Sequence, residues 1–283
     1  MQCPDEMMTA MTKSQRGFTL IEAIIVITIT GIIAGMVAVF ITTPVKGYFD
    51  SARRAELTDI TDTAQRRISR DLHLALPNSV RVSGGNYLEF LQTSGGGRYR
   101  AAPDNSGGGN ILDFTQPTTT FDVLGPPVAM VPGAMNLVAV YNLGIPGADA
   151  YQQPAVNTSA MTAGGNTVTI NSFQFPFASP ANRFQIISYP VSYVCAGVGT
   201  DANGNGTGTL TRYWNYPIQA SQPTSFASGT SSALVAKNVS GCSFSYDAQV
   251  ITQRAGLVSA WLQVTQSNES VSLYYEVHVS NVP

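Results

Sequence analysis

The chain has 283 residues, a net charge of −2 and only 11% charged residues. That length supports a sizeable core in one large domain or two small ones, and the near-neutral balance gives no overall basic excess of the kind a nucleic-acid binder needs. Gly, Ser, Thr and aromatic residues are frequent, as in secreted β-rich proteins.

Residues 1–17 read as a polar leader containing Asp5, Glu6, Lys13 and Arg16. The 24 residues from Phe18 to Ile41 are apolar apart from a few Thr, Gly and one acid. As a helix rising 1.5 Å per residue they would cover roughly 36 Å, enough to cross a hydrocarbon core of about 30 Å with some tilt. Residues 18–43 are therefore predicted to be a membrane span in which Glu22 is the only formal charge. An ionisable side chain in such a span is expensive and marks a function. Gly31 and Gly35 have the small-xxx-small spacing that lets helices approach closely in lipid, although glycine is common in membrane helices anyway. Lys13 and Arg16 precede the span and Lys46, Arg53 and Arg54 follow it, so the basic residues alone do not orient it.

Gly17-Phe18-Thr19-Leu20-Ile21-Glu22 at the head of an apolar helix resembles the processing signal of type IV pilins and type II secretion pseudopilins. The resemblance implies cleavage by a prepilin peptidase between Gly17 and Phe18, N-methylation of Phe18, and a role for Glu22 opposite the N-terminal amine of a neighbouring subunit. Two opposite charges in a low-dielectric medium attract far more strongly than in water, so such a pair would offset part of each other's desolvation. An ordinary secretory signal is cut after its apolar stretch, whereas this cut would leave the helix on the mature chain. The alternative is an uncleaved anchor with a glutamate near the interface.

Pro44 is expected to kink the helix or cost it a backbone bond. Residues 44–77 then read as an amphipathic helix. Leu57, Ile60, Ala64, Ile68, Leu72 and Ala75 repeat at spacings of three and four, and Pro77 and Asn78 end the pattern. Arg66, Arg67 and Arg70, with Asp62 and Asp71 nearby, read as a solvated face, with a binding patch as the lesser reading.

Residues 78–283 are predicted to be a β-rich domain, making the whole an α+β, pilin-like chain with a long N-terminal helix packed on a C-terminal antiparallel β domain. Val80, Val82 and Tyr87 to Leu91 flank a Ser83-Gly84-Gly85-Asn86 turn, and residues 94–109, with six glycines, are expected to be a mobile loop. Short strands are predicted at Ile111–Phe114, Phe121–Leu124, Val128–Val131, Leu137–Tyr141 and Val168–Phe175, with residues 148–165 as loop. Thr209–Tyr216 is a further strand, and alternation from Val258 to Val264 and Val271 to Val279 predicts a closing hairpin around Ser267-Asn268.

Cys3 lies in the leader. Cys195, on a face with Val191 and Tyr193, and Cys242, with Phe244 and Tyr246, predict one disulfide in an oxidising compartment and two buried thiols otherwise.

His73 and His278 belong to no catalytic or metal pattern, so no active site and no enzyme is expected. Asp201, Asn203 and Asn205, followed by Gly206, match the opening of a calcium loop, but its twelfth position is Arg212 where a bidentate Glu is needed. A Gly-Asn turn is the simpler reading, and otherwise no cofactor is implied.

The text from Ala52 to Val82 and the final SLYYEVHVSNVP resemble minor pilins of the mannose-sensitive haemagglutinin (MSHA) pilus system. With the processing signal, the resemblance covers about a third of the chain, and minor pseudopilins of the J type in type II secretion share its architecture. It implies an inner-membrane protein with a periplasmic domain that later joins a pilus filament at the cell surface. Its expected partners are the prepilin peptidase, the inner-membrane assembly platform, other minor pilins and the major pilin. A tip adhesin or DNA-binding pilin is the binding-class alternative.

Overall fold

The computed structural model describes residues 17–251 and 255–283, so the leader readings at residues 1–16, Cys3 included, lie outside the described residues. The chain divides into two compact units between Ala52 and Arg53.

The first unit is helical. α1 (Leu20–Leu72) begins there and continues without interruption through Pro44 into the second unit. Its apolar N-terminal stretch is long enough to cross a membrane and is nowhere buried within the chain.

In the second unit, α1 presents the predicted stripe to a sheet. Leu57, Ala64, Ile68 and Leu72 are buried in the first core, with Ile60 and Ala75 packed against it. The helix stops at Leu72, before the predicted boundary near Pro77, because the next residues are taken by a strand. Leu76 N donates to Leu91 O at 2.8 Å and Thr93 N donates to Leu74 O at 2.8 Å.

Eleven strands follow, all paired antiparallel: β1 (Arg81–Ser83), β2 (Tyr87–Arg98), β3 (Thr118–Asp122), β4 (Leu137–Val140), β5 (Thr158–Ala163), β6 (Thr167–Phe173), β7 (Arg183–Ala196), β8 (Gly208–Trp214), β9 (Ser231–Ile251), β10 (Ala255–Gln266) and β11 (Glu269–Ser280). The main order is β11-β10-β9-β8-β7-β4-β5-β6-β3, with β2 on β7 and β1 on β2. The 14-residue β7 organises this arrangement. One of its edges runs along β2 for almost its full length, while the other changes partner, from β4 at Phe184–Ile187 to β8 at Val191–Ala196. Pro190, which has no N–H to give, sits just before β8 takes over.

β7 also joins the cores. Val191, Tyr193 and Cys195 enter the core under α1, whereas Phe184 and Ile186 enter a second core with Tyr99, Phe121 and Phe175. Leu76, Leu91, Tyr151 and Ile187 belong to a smaller, third cluster.

Several expectations are corrected. The first part of the glycine-rich 94–109 stretch is strand, because β2 continues to Arg98. A Cβ on Gly96 would sit 2.4 Å from Phe184 O, so a side chain there would collide with the neighbouring backbone. Residues 148–165 are not all loop, since β5 occupies their end. Ile111–Phe114 forms no strand, and its Leu112 is tied by a single bond from its N–H to Arg100 O. Val128–Val131 makes only an isolated bridge, Val128 to Gly165, between prolines that cannot donate to a ladder. The closing hairpin is as predicted: Ser267 and Asn268 have φ of 50° and 65°, as a two-residue type I′ turn requires.

Cys195 and Cys242 form the disulfide, with Cα atoms 6.2 Å apart, in the core under α1. It closes a sequence separation of 47 residues. Constraining a loop of that size in the unfolded chain contributes roughly 4 kcal/mol on the chain-entropy account.

Candidate functional site: the head of the apolar helix

Gly17, Phe18 and Thr19 precede the helix, and Phe18 is 80% exposed. Thr19 is the cap. Its carbonyl accepts from Ala23 N at 3.1 Å and its Oγ1 accepts from Glu22 N at 3.3 Å. Thr19-Leu20-Ile21-Glu22 is thus the T-x-x-E pattern of a capping box, a signal legible in the sequence but missed there. The Gly17–Phe18 bond consequently lies just outside regular structure, where an endopeptidase can take it in extended form. Glu22 stands in the first helical turn, where the helix macrodipole favours an anion.

The remaining polar groups here are largely self-sufficient. Thr28 Oγ1 donates to Ile24 O at 2.8 Å, Thr30 Oγ1 to Val26 O, and Thr42 Oγ1 to Val39 O at 3.2 Å. In lipid such bonds satisfy hydroxyls within the helix, leaving the carboxylate of Glu22 as the group that needs an outside partner. A Cβ on Gly31 or Gly35 would meet nothing within 4 Å, and Gly35 lines a groove with Ile32, Met36, Val39 and Phe40.

A profile of the prokaryotic N-terminal methylation motif matches residues 12–38. The chain carries a prepilin-type signal. That match, heading a helix able to span a membrane and continuous with one packed on an antiparallel sheet, supports a type IV pilin or pseudopilin subunit processed by a prepilin peptidase. No curated protein and no solved structure matches the chain.

The β domain holds two buried ionic clusters that the sequence did not disclose. On the α1 side of the sheet, Asp71 Oδ2 accepts from Arg212 Nε at 2.7 Å and from Tyr193 OH at 2.9 Å, while Arg212 also reaches Gln92 Oε1 at 3.0 Å. Asp71 was expected among the solvated charges; it is buried instead. Of the three nearby arginines, Arg66 and Arg70 are exposed as the surface reading expects, Arg66 pairing with Asp62 at 2.6 Å, while Arg67 is half-buried.

The second cluster centres on Glu89, which is fully buried beside its cross-strand partner Arg81. Glu89 Oε2 accepts from Arg81 Nε at 2.6 Å, and Oε1 accepts from Tyr216 OH at 2.9 Å. Burial nevertheless outweighs these bonds and raises the Glu89 carboxyl above its ordinary value of 4.5. The folded chain therefore holds this proton more tightly than the unfolded one. The associated stability is fully present below about pH 4.5 and is lost as pH rises through the higher folded value. Glu89→Gln should accordingly gain stability relative to the parent as pH increases above 4.5, as read by paired thermal melts across pH. A difference that stays flat or runs the other way defeats this assignment.

The Asp201 loop uses its oxygens internally. Asp201 Oδ1 accepts from the amides of Asn203 at 2.9 Å and Asn205 at 2.7 Å, and Oδ2 accepts from Asn205 Nδ2 at 3.3 Å. The backbone bond from Asn205 is the main reason this carboxyl lies below its usual range. Asn205 Oδ1 in turn accepts from Ser267 N at 2.9 Å, and Gly204 O from Asn268 N at 2.9 Å, fastening the loop to the closing hairpin. Arg212, the would-be twelfth ligand, belongs to β8 and the Asp71 cluster. Among the described residues no group of three or more His, Cys, Asp or Glu is placed to hold a metal, and both histidines are exposed.

Proposed function

We propose that this chain is a minor pilin of an MSHA-like type IV pilus, resembling MshO: a structural assembly subunit and not an enzyme. The observation that carries the reading is the coincidence of the methylation motif with an exposed Gly17–Phe18 junction and a capped helix whose lone acid is Glu22. The size of the β domain and the two matching stretches of text favour a low-abundance subunit at the filament tip over a shaft protein. A J-type pseudopilin shares the same head and remains the second reading, supported by that motif alone.

In the proposed pathway the chain waits in the bacterial inner membrane with its β domain in the periplasm. The peptidase frees the Phe18 amine, and the assembly platform moves the subunit into a filament beside other minor pilins and the major pilin. Glu22 of one subunit then meets a neighbour's Phe18 ammonium, selecting the register between helices. No cofactor is required. Calcium at Asp201, Asn203 and Asn205 would have to displace the amide bonds that already engage Asp201.

Glu22→Ala should leave processing intact while strongly reducing incorporation into filaments. Mass spectrometry of the membrane-extracted chain should still find methylated Phe18, and sheared pilus fractions should be depleted of the variant. Normal incorporation would remove the pairing role, and an unprocessed wild-type N-terminus would remove the pilin reading itself.

A further inference from the structure

One region of the β domain is explained neither by the cores nor by the processing signal. Arg98 and Arg183 stand directly opposite each other across the β2–β7 ladder, and both are exposed. Among the described residues neither pairs with a carboxylate; Arg98 gives its Nε to Ala181 O at 3.2 Å. Like charges at directly opposed positions destabilise a sheet, so a chain with so few charges keeps this pair against its own stability.

The two arginines border a depression of about 490 Å³ whose other walls include Gly95, Leu124, Pro126 and Gln185. That size lies within the range of small-molecule sites. Gly95–Gly97 contribute bare main chain to its lining. β2 has β7 on one side, but among the described residues no strand on the other beyond Tyr87–Glu89, so the outer edge of Gly95–Gly97 is open. Gly96 and Gly97 are explained by the closeness of Phe184, but a Cβ on Gly95 would meet nothing within 4 Å. β2 shifts register between Thr93 and Gly95, and a glycine at such a bulge that packing does not require also leaves the backbone open to something that approaches it.

We propose that this depression binds an anionic saccharide unit, carboxylated or sulfated. Its oxyanion is held by Arg98 and Arg183, its hydroxyls bond the open edge at Gly95–Gly97, and its apolar ring face lies on Leu124 and Pro126. A peptide adding as a strand fits less well, because the open edge is closed at one end by Leu74 on Thr93 and at the other by Leu124 on Arg98. Duplex DNA fits less well too, since two cations neutralise too few phosphates to hold it at physiological salt.

The test is isothermal titration of the full-length chain in detergent micelles with oligogalacturonate and heparin-derived oligosaccharide. Neutral maltooligosaccharide, polyglutamate and duplex DNA are the comparison probes. At least one anionic saccharide should bind saturably, the preferred one distinguishing carboxylate from sulfate, and the neutral sugar should not. Arg183→Gln should weaken binding by about tenfold or more, as loss of a charge-assisted bond implies. Gly95→Val should weaken it comparably while the melting temperature is unchanged or higher. The proposal fails if neither anionic saccharide binds, if the neutral sugar binds equally, if polyglutamate or DNA binds more tightly, or if Arg183→Gln has no effect.

Discussion

Asp71→Ala will cost the β domain about 3–5 kcal/mol, because it strands a guanidinium in a dry interior. Arg212 is 6% exposed, and without Asp71 it keeps only Gln92 Oε1 at 3.0 Å and the Trp214 ring 4.9 Å from its guanidinium carbon. Tyr193 OH loses its acceptor in the same step. Asp71 also occupies the last turn of α1, where the helix dipole disfavours an acid, so its place depends on Arg212. The companion variant Asp71→Leu with Arg212→Met should recover most of the loss, since a packed apolar pair of similar volume commonly matches a buried ion pair. Chemical denaturation of Asp71→Ala, together with the parent, Asp71→Leu, Arg212→Met and their double variant, measures both effects. A single-variant loss below about 1 kcal/mol would mean that water reaches Arg212 and that the pair is worth no more than a surface bridge.

Substituting Gly17 by a bulky residue such as Leu should abolish processing outright. The bond proposed for cleavage lies immediately before an exposed Phe18 and a Thr19 cap, so a side chain at Gly17 would be added at the proposed point of attack. A Cβ there meets nothing within 4 Å, which separates the consequence for the peptidase from any effect on folding. Immunoblots should show only the longer form, retained in the membrane fraction and absent from pili. A mature-length product carrying methylated Phe18 would rule out cleavage at this junction.

The features legible in the sequence were those with a local cause. Leu57, Ala64, Ile68 and Leu72 repeat with the helical period and all are buried. The Ser267-Asn268 turn announced itself by separating two alternating runs, and Cys195 and Cys242 each fell on the apolar parity of a strand. What escaped notice has its cause far along the chain. Asp71 looked like one more charge on a charged helix because its partner is 141 residues away. β5 looked like loop because Thr158–Ala163 is small and polar, and it becomes a strand through its ladders with β4 and β6. The glycines of β2 read as mobile, yet all three lie in the strand, and Gly96 is there to admit the backbone of β7. At the helix head, Gly17, Phe18 and Glu22 were visible as a motif, whereas the cap formed by Thr19 was overlooked although its pattern was equally local.

The placement of β7 has a mechanical consequence. Because one continuous strand lines both the core under α1 and the core around Phe121, stripping β7 away would expose both at once. Unfolding that reaches β7 is therefore felt at both ends of the sheet.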